Sequence, residues 1–148
     1  MVTLRDLLNL ESCRVMFSGD PKRIFLIYAK RWFDGKKVVA NSLPFELPLD
    51  NAFIILGNPL TDEGDAYLVT NPLRMGEDLY RWLSGVDKLV VLYEERYVGA
   101  SIKRLKLRKY LDYLLAYRME TVNKEIINLY RLESGKIVDS KTFVRFHH

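Results

Sequence analysis

The stretch that decides the fold is residues 88–118, KLVVLYEERYVGASIKRLKLRKYLDYLLAYR. It opens with an apolar run, residues 88–93, with the β-branched Val90 and Val91 at its centre. Such a run predicts a strand covered on both faces. Glu94, Glu95 and Arg96 follow, and Gly99 and Ser101 then break the strand. A serine suits the start of a helix, because its hydroxyl accepts a backbone N–H that the helix leaves free. Leu107, Tyr110, Leu111, Leu114 and Tyr117 recur at helical spacing and predict one face of a long helix. Lys103, Arg104, Lys106, Arg108, Lys109 and Arg118 surround that face. Asp112 is the only acid between Ser101 and Arg118.

Working back from this stretch, residues 76–83 predict a short helix with Leu79, Trp82 and Leu83 inward. Residues 66–70 (AYLVT) predict a strand stopped by Asn71-Pro72. Residues 61–65 (TDEGD) form an acidic loop, and residues 52–56 (AFIIL) predict a short buried strand. Residues 24–32 (IFLIYAKRW) predict a strand that turns at Phe33-Asp34-Gly35-Lys36 and returns over residues 37–43. Asp-Gly tolerates the positive φ of a tight hairpin. Residues 13–17 predict a short strand ended by Ser18-Gly19-Asp20-Pro21. Residues 2–10 predict an amphipathic helix with Thr3 at its N-cap.

Working forward, residues 125–132 and 137–146 predict a hairpin around Glu133-Ser134-Gly135-Lys136. The alternative is a helix that continues to Leu132. The fold expected is a single α/β or α+β domain over residues 1–148. A mixed five- to six-stranded sheet would pack on one long basic helix with two shorter helices.

The composition, 49% hydrophobic and 12% aromatic over 148 residues, excludes a disordered chain. No apolar run approaches the ~18 residues of a membrane span. The N-terminal residues carry acids and lack the apolar block of a signal peptide, so an intracellular, cytoplasmic location is expected. Cys13 is the only cysteine, which excludes an internal disulfide and Cys/His zinc frameworks. It reads as a small buried hydrophobe. The only histidines are His147 and His148, native or the start of an affinity tag. Ser-His-Asp and Cys-His catalysis within the fold are thereby excluded. Glutamine is absent and charge is abundant, which points to a thermophilic host, archaeal or an archaeal virus.

The net charge of +4 is unevenly spread. Residues 1–41 hold 8 basic and 4 acidic side chains, residues 42–78 hold 1 and 7, and residues 99–148 hold 11 and 5. Two basic segments around an acidic one predict a polyanion-binding surface. Nucleic acid, DNA or RNA, is the expected partner. The expected contacts are Lys103, Arg104, Lys106, Arg108 and Lys109 of the long helix, with Lys30, Arg31, Lys36 and Lys37 of the basic hairpin. They would be made largely to phosphates. Tyr28, Trp32, Tyr97 and Tyr113 lie among these positions and could stack on bases.

One constellation carries potential chemistry. Glu94 and Arg96 would share a strand face, and Asp65 begins another strand. Two carboxylates can hold Mg²⁺ or Mn²⁺ near a scissile phosphate, with a cation beside it. Asp65 and Glu94 are then the metal ligands, and Glu94, Glu95 and Arg96 the catalytic candidates. The order is similar to the Asp…Glu-x-Lys pattern of the PD-(D/E)XK nucleases. It departs from that family in Arg96 for lysine, in lacking a Pro-Asp pair and in the helix expected between the acids. The simpler account of Glu94 and Glu95 is an ion pair with Arg96 or a nearby lysine. Phosphate-cradling GxxxxGK[ST] and GxGxxG loops are absent. Three functions follow: a nucleic-acid binder, a divalent-metal-dependent nuclease, or an interaction and assembly factor that forms a homodimer through its Leu/Tyr stripe.

Overall fold

Val90 and Val91 sit at the centre of strand β5 (Leu89–Glu94), which is buried along its whole length, as an apolar β-branched run requires. The computed structural model describes residues 3–9, 12–19, 22–132 and 136–144. In it β5 pairs in parallel with β4 (Ala66–Thr70) on one side and β1 (Arg14–Ser18) on the other. Beyond β4 lie β2 (Lys37–Ala40) and then β3 (Phe53–Leu56), both parallel. Beyond β1 lies β6 (Tyr113–Thr121), the sixth parallel strand, followed by antiparallel β7 (Lys124–Arg131) and β8 (Lys136–Val144). The result is one mixed eight-stranded sheet in the order β3-β2-β4-β5-β1-β6-β7-β8.

Strand alternation gives the sheet two apolar faces, and each is covered. Val15, Phe17, Val91, Tyr93, Leu115 and Leu129 pack beneath helices α1 (Leu4–Leu7) and α2 (Lys22–Trp32). Met16, Val90, Leu92 and Leu114 pack beneath Leu79 and Leu83 of α3 (Glu77–Leu83). Ile102 and Leu107, from the 3-10 turns Gly99–Arg104 and Lys106–Tyr110, join that second face. Thr3 caps α1 as expected: its hydroxyl accepts from the Asp6 N–H while the Asp6 carboxylate accepts from the Thr3 N–H. Among the described residues, no helix is long and apolar enough to cross a membrane.

The class is therefore mixed α/β as expected, but several elements differ. Residues 24–32 form helix α2, not a strand. The buried positions Ile24, Phe25, Tyr28, Ala29 and Trp32 recur at helical spacing, which the unbroken apolar run masks. Residues 33–36 accordingly link a helix to β2. Gly35 has the positive φ expected there, at +70°, and β2 pairs in parallel with β3 and β4 rather than returning on α2. The short strand expected to be buried, β3, lies at the sheet edge with Phe53 68% and Leu56 65% exposed.

The long basic helix is absent. Its first part is the two 3-10 turns, and its second part is β6. Leu114 and Tyr117, expected on one helix face, fall on opposite faces of the sheet. Pairing with β1 outweighs the helical spacing, and Asp112 anchors the entry: its N–H donates to the Arg14 carbonyl (2.8 Å). The β7–β8 hairpin forms as expected, whereas its turn at residues 133–135 and residues 145–146 lie outside the described residues, as do Asp20 and Pro21.

The core sets an alkaline limit on stability. Burial pushes the Cys13 thiol from 9.0 up to about 12, with Asp112 adding to the shift. Burial likewise pushes the Tyr28 hydroxyl from 10.0 up to about 12, assisted by Asp139. The folded state thus holds protons that the unfolded chain releases. This contribution is complete below the unfolded values and is lost as pH rises through the folded ones. The urea midpoint is expected to hold steady up to about pH 9 and to fall from there towards pH 12. Cys13→Val should delay the onset to about pH 10. A midpoint independent of pH across this window would refute the burial argument.

Candidate nucleic-acid interface

The basic segment crosses the second face of the sheet from the carboxyl end of β5 to the amino end of β6. It cannot run as one helix, because Leu105 is extended (φ −89°, ψ 132°) between the two 3-10 turns. Buried Ile102 and Leu107 hold the turns to the sheet and leave Lys103, Arg104, Lys106 and Lys109 exposed. Arg108 is half-buried, and its Nε donates to the Leu132 carbonyl (3.2 Å).

Between the second turn and the ends of β6 and β7 lies a cleft of about 570 Å³. Lys103, Arg108, Lys109 and Arg131 supply its positive charge. Leu105, Leu111, Leu132 and Tyr113 supply its apolar wall. Asp112, the one acid among the described lining residues, is engaged elsewhere: its carboxylate accepts from the Arg14 backbone N–H (2.9 Å) and from the Arg14 guanidinium (3.3 Å). Among the described residues, no carboxylate pairs with Lys103, Arg104 or Lys109. Lys106 differs: it pairs with Glu77 and lies 5.7 Å from the Tyr80 ring centre. The hydrogen bond and charge of Glu77 raise the Lys106 pKa.

The other predicted contacts are elsewhere. Lys30 and Arg31 belong to α2, on the opposite face of the sheet, so the two basic segments do not make one surface. Lys30 borders a small cavity shared with Asp34 and Asp50, and Arg31 donates to the Asn9 side chain (3.2 Å). Lys36 donates to the Trp32 carbonyl (3.0 Å), and Lys37 starts β2.

The carboxylates are not brought together either. Asp65 precedes β4 and accepts from the Lys37 N–H (2.9 Å), while Glu94 ends the neighbouring parallel β5. Ala66 aligns with Leu89 and Thr70 with Tyr93, so the two acids lie at opposite ends of the sheet. At about 3.3 Å per residue over six positions the gap is roughly 20 Å, far beyond the reach of one shared ion. Glu94 is 2% exposed and accepts from Arg96 through its backbone N–H (3.1 Å), Nε (3.3 Å) and NH2 (3.2 Å). That pairing raises the Arg96 pKa. Glu95 is exposed. Among the described residues, no group of three or more His, Cys, Asp or Glu side chains is placed to hold a metal.

The carboxyl ends of the central strands form a second polar region. The connections after β1 and β5 leave towards opposite faces, an arrangement that opens a crevice in parallel sheets. Its polar groups face one another. Asn41 donates to the Thr70 carbonyl (3.1 Å) and accepts from the Thr70 N–H (2.8 Å), and Ser42 bonds the Thr70 hydroxyl. Ser18 is buried there, and its hydroxyl has no hydrogen-bond partner among the described residues.

One cation of the basic cleft, Arg131, is not among the contacts expected from the sequence. It lies opposite Tyr113 in the β6–β7 pair, so reading residues 113–118 as a strand would have aligned the two. A scan against protein-family models gives no match, and a search of curated proteins finds no relative.

Proposed function

We propose that this protein binds nucleic acid through the cleft of Lys103, Arg108, Lys109 and Arg131. The observation that supports this reading is a concave cationic site in which, among the described residues, the only acid, Asp112, is neutralised by Arg14 and the exposed Lys103 and Lys109 have no acidic partner. Exposed lysines around a concavity release counterions when phosphates bind, and that release drives association. The contacts are with phosphates and carry little sequence preference, since the segment presents no helix to a groove.

Lys103→Glu with Lys109→Glu is the direct test, since both side chains are exposed and their replacement leaves the core intact. Binding of labelled mixed-sequence DNA and RNA is expected to weaken by about tenfold or more, with a shallower dependence on salt. Lys30→Glu with Arg31→Glu, on the other face, is expected to leave binding unchanged. Equal losses from both pairs would reject the cleft, and no binding by the unmodified protein would reject the function. Running the assay with Mn²⁺ and with chelator separates a binder from a metal-dependent nuclease.

A further inference from the structure

We infer that the groove between α1, α2 and β8 is a second binding site, for a small amphipathic anion: an apolar body ending in one carboxylate, as in a medium-chain fatty acid. The groove lies on the α1/α2 face of the sheet, and the inference does not depend on the basic cleft.

The groove has a volume of about 400 Å³, within the range of sites for small organic molecules. All three elements give it apolar side chains: Leu4 of α1 and Leu8 just after it, Ile27 and Tyr28 of α2, and Phe143 of β8. Three of these stay open to solvent. Leu8 and Phe143 are half-buried against the core, and Ile27 is half-exposed. A single exposed isoleucine is ordinary. Apolar groups left uncovered together in one concavity mark a place where an apolar ligand displaces water.

The charges of the lining set the sign of the ligand. Asp139 is engaged: its carboxylate accepts from the Leu4 N–H (2.8 Å) and from the Ser140 N–H (2.9 Å). Arg5 and Lys141 are exposed, and among the described residues neither forms an ion pair. The Lys141 ammonium lies 4.9 Å from the centre of the Phe143 ring, so a positive charge sits directly on the apolar lining. A carboxylate there meets a cation while the attached chain covers Leu8, Ile27 and Phe143. An alkylammonium of the same length meets repulsion instead.

The test is isothermal titration calorimetry of the full chain with decanoate, octanoate, decanol and decyltrimethylammonium. Decanoate is expected to bind tightest, and octanoate about tenfold more weakly, because it buries two methylenes fewer. Lys141→Glu is expected to weaken decanoate by about fivefold and to leave decanol unchanged. Ile27→Glu puts a charge into the lining and is expected to abolish binding of both. Each replaces an exposed side chain, so the fold is retained, which unchanged urea midpoints will verify. Failure of decanoate to saturate, equal binding of decanol or decyltrimethylammonium, or decanoate binding untouched by Ile27→Glu would each overturn the inference.

Discussion

Replacing Phe25 by alanine is expected to lower the unfolding free energy by about 3–5 kcal/mol. Phe25 is fully buried on the inner face of α2 and meets four other rings. Its centre lies 4.8 Å from Tyr93 on β5 and 5.3 Å from Phe17 on β1, both edge-on. Phe45 and Trp32 complete the cluster at 5.9 Å and 6.5 Å. Truncation removes the transfer energy of the ring and opens a cavity that helix and sheet cannot close together, because both are held by their own hydrogen bonds. A domain of this size has only about 5–15 kcal/mol in total, so the variant should unfold at a much lower urea concentration. Ile27 supplies the contrast. It is 51% exposed, and Ile27→Ala should change stability by about 0.5 kcal/mol or less. In a strand, residues 25 and 27 would share a face and the two substitutions would cost alike. Similar losses at both positions would therefore overturn the helix as well as the cluster.

That contrast also shows where the sequence was legible. The strands β4 and β5, the hairpin of β7 and β8, the cap at Thr3 and the helix after Gly76 all rest on local signals: a β-branched run, a polar turn, a hydroxyl before an apolar repeat. Residues 24–29 (IFLIYA) are apolar without interruption, so periods of 2 and 3.6 fit them equally well. Only the wider spacing from Ile24 to Trp32 separates the two, and it favours the helix. Residues 107–117 mislead in the opposite sense. Their helical spacing is real, but Arg14 and Asp112 tie the chain to β1 from 98 positions away, and no local pattern records that contact. The same distinction runs through the cleft. The charge of Lys103, Arg108 and Lys109 is visible in the sequence, whereas the removal of Asp112 by Arg14 and the arrival of Arg131 beside Tyr113 depend on strand pairing.

Gly19→Ala is expected to destabilise the protein by about 3 kcal/mol or more, by a mechanism unrelated to cavities. Gly19 follows β1 with φ +105°, a conformation that side-chain-bearing residues rarely adopt. Its N–H donates to the Glu94 carbonyl (3.0 Å), which fixes the backbone to the end of β5. A Cβ at this position would collide with the Tyr117 carbonyl oxygen on β6, and the carbonyl carbon lies at 3.3 Å. The obstruction is backbone within the sheet, so no side-chain rotation relieves it. Two costs therefore add: the strained φ, about 1–3 kcal/mol, and the overpacking, about 1–3 kcal/mol. Gly35 separates them. It too has positive φ, at +70°, but nothing lies within 4 Å of the Cβ site. Gly35→Ala should thus show the conformational cost alone, about 1 kcal/mol. If urea midpoints fall equally for the two variants, β1 and β6 are not in contact at Gly19, and the pairing that turns residues 113–121 into a strand is wrong.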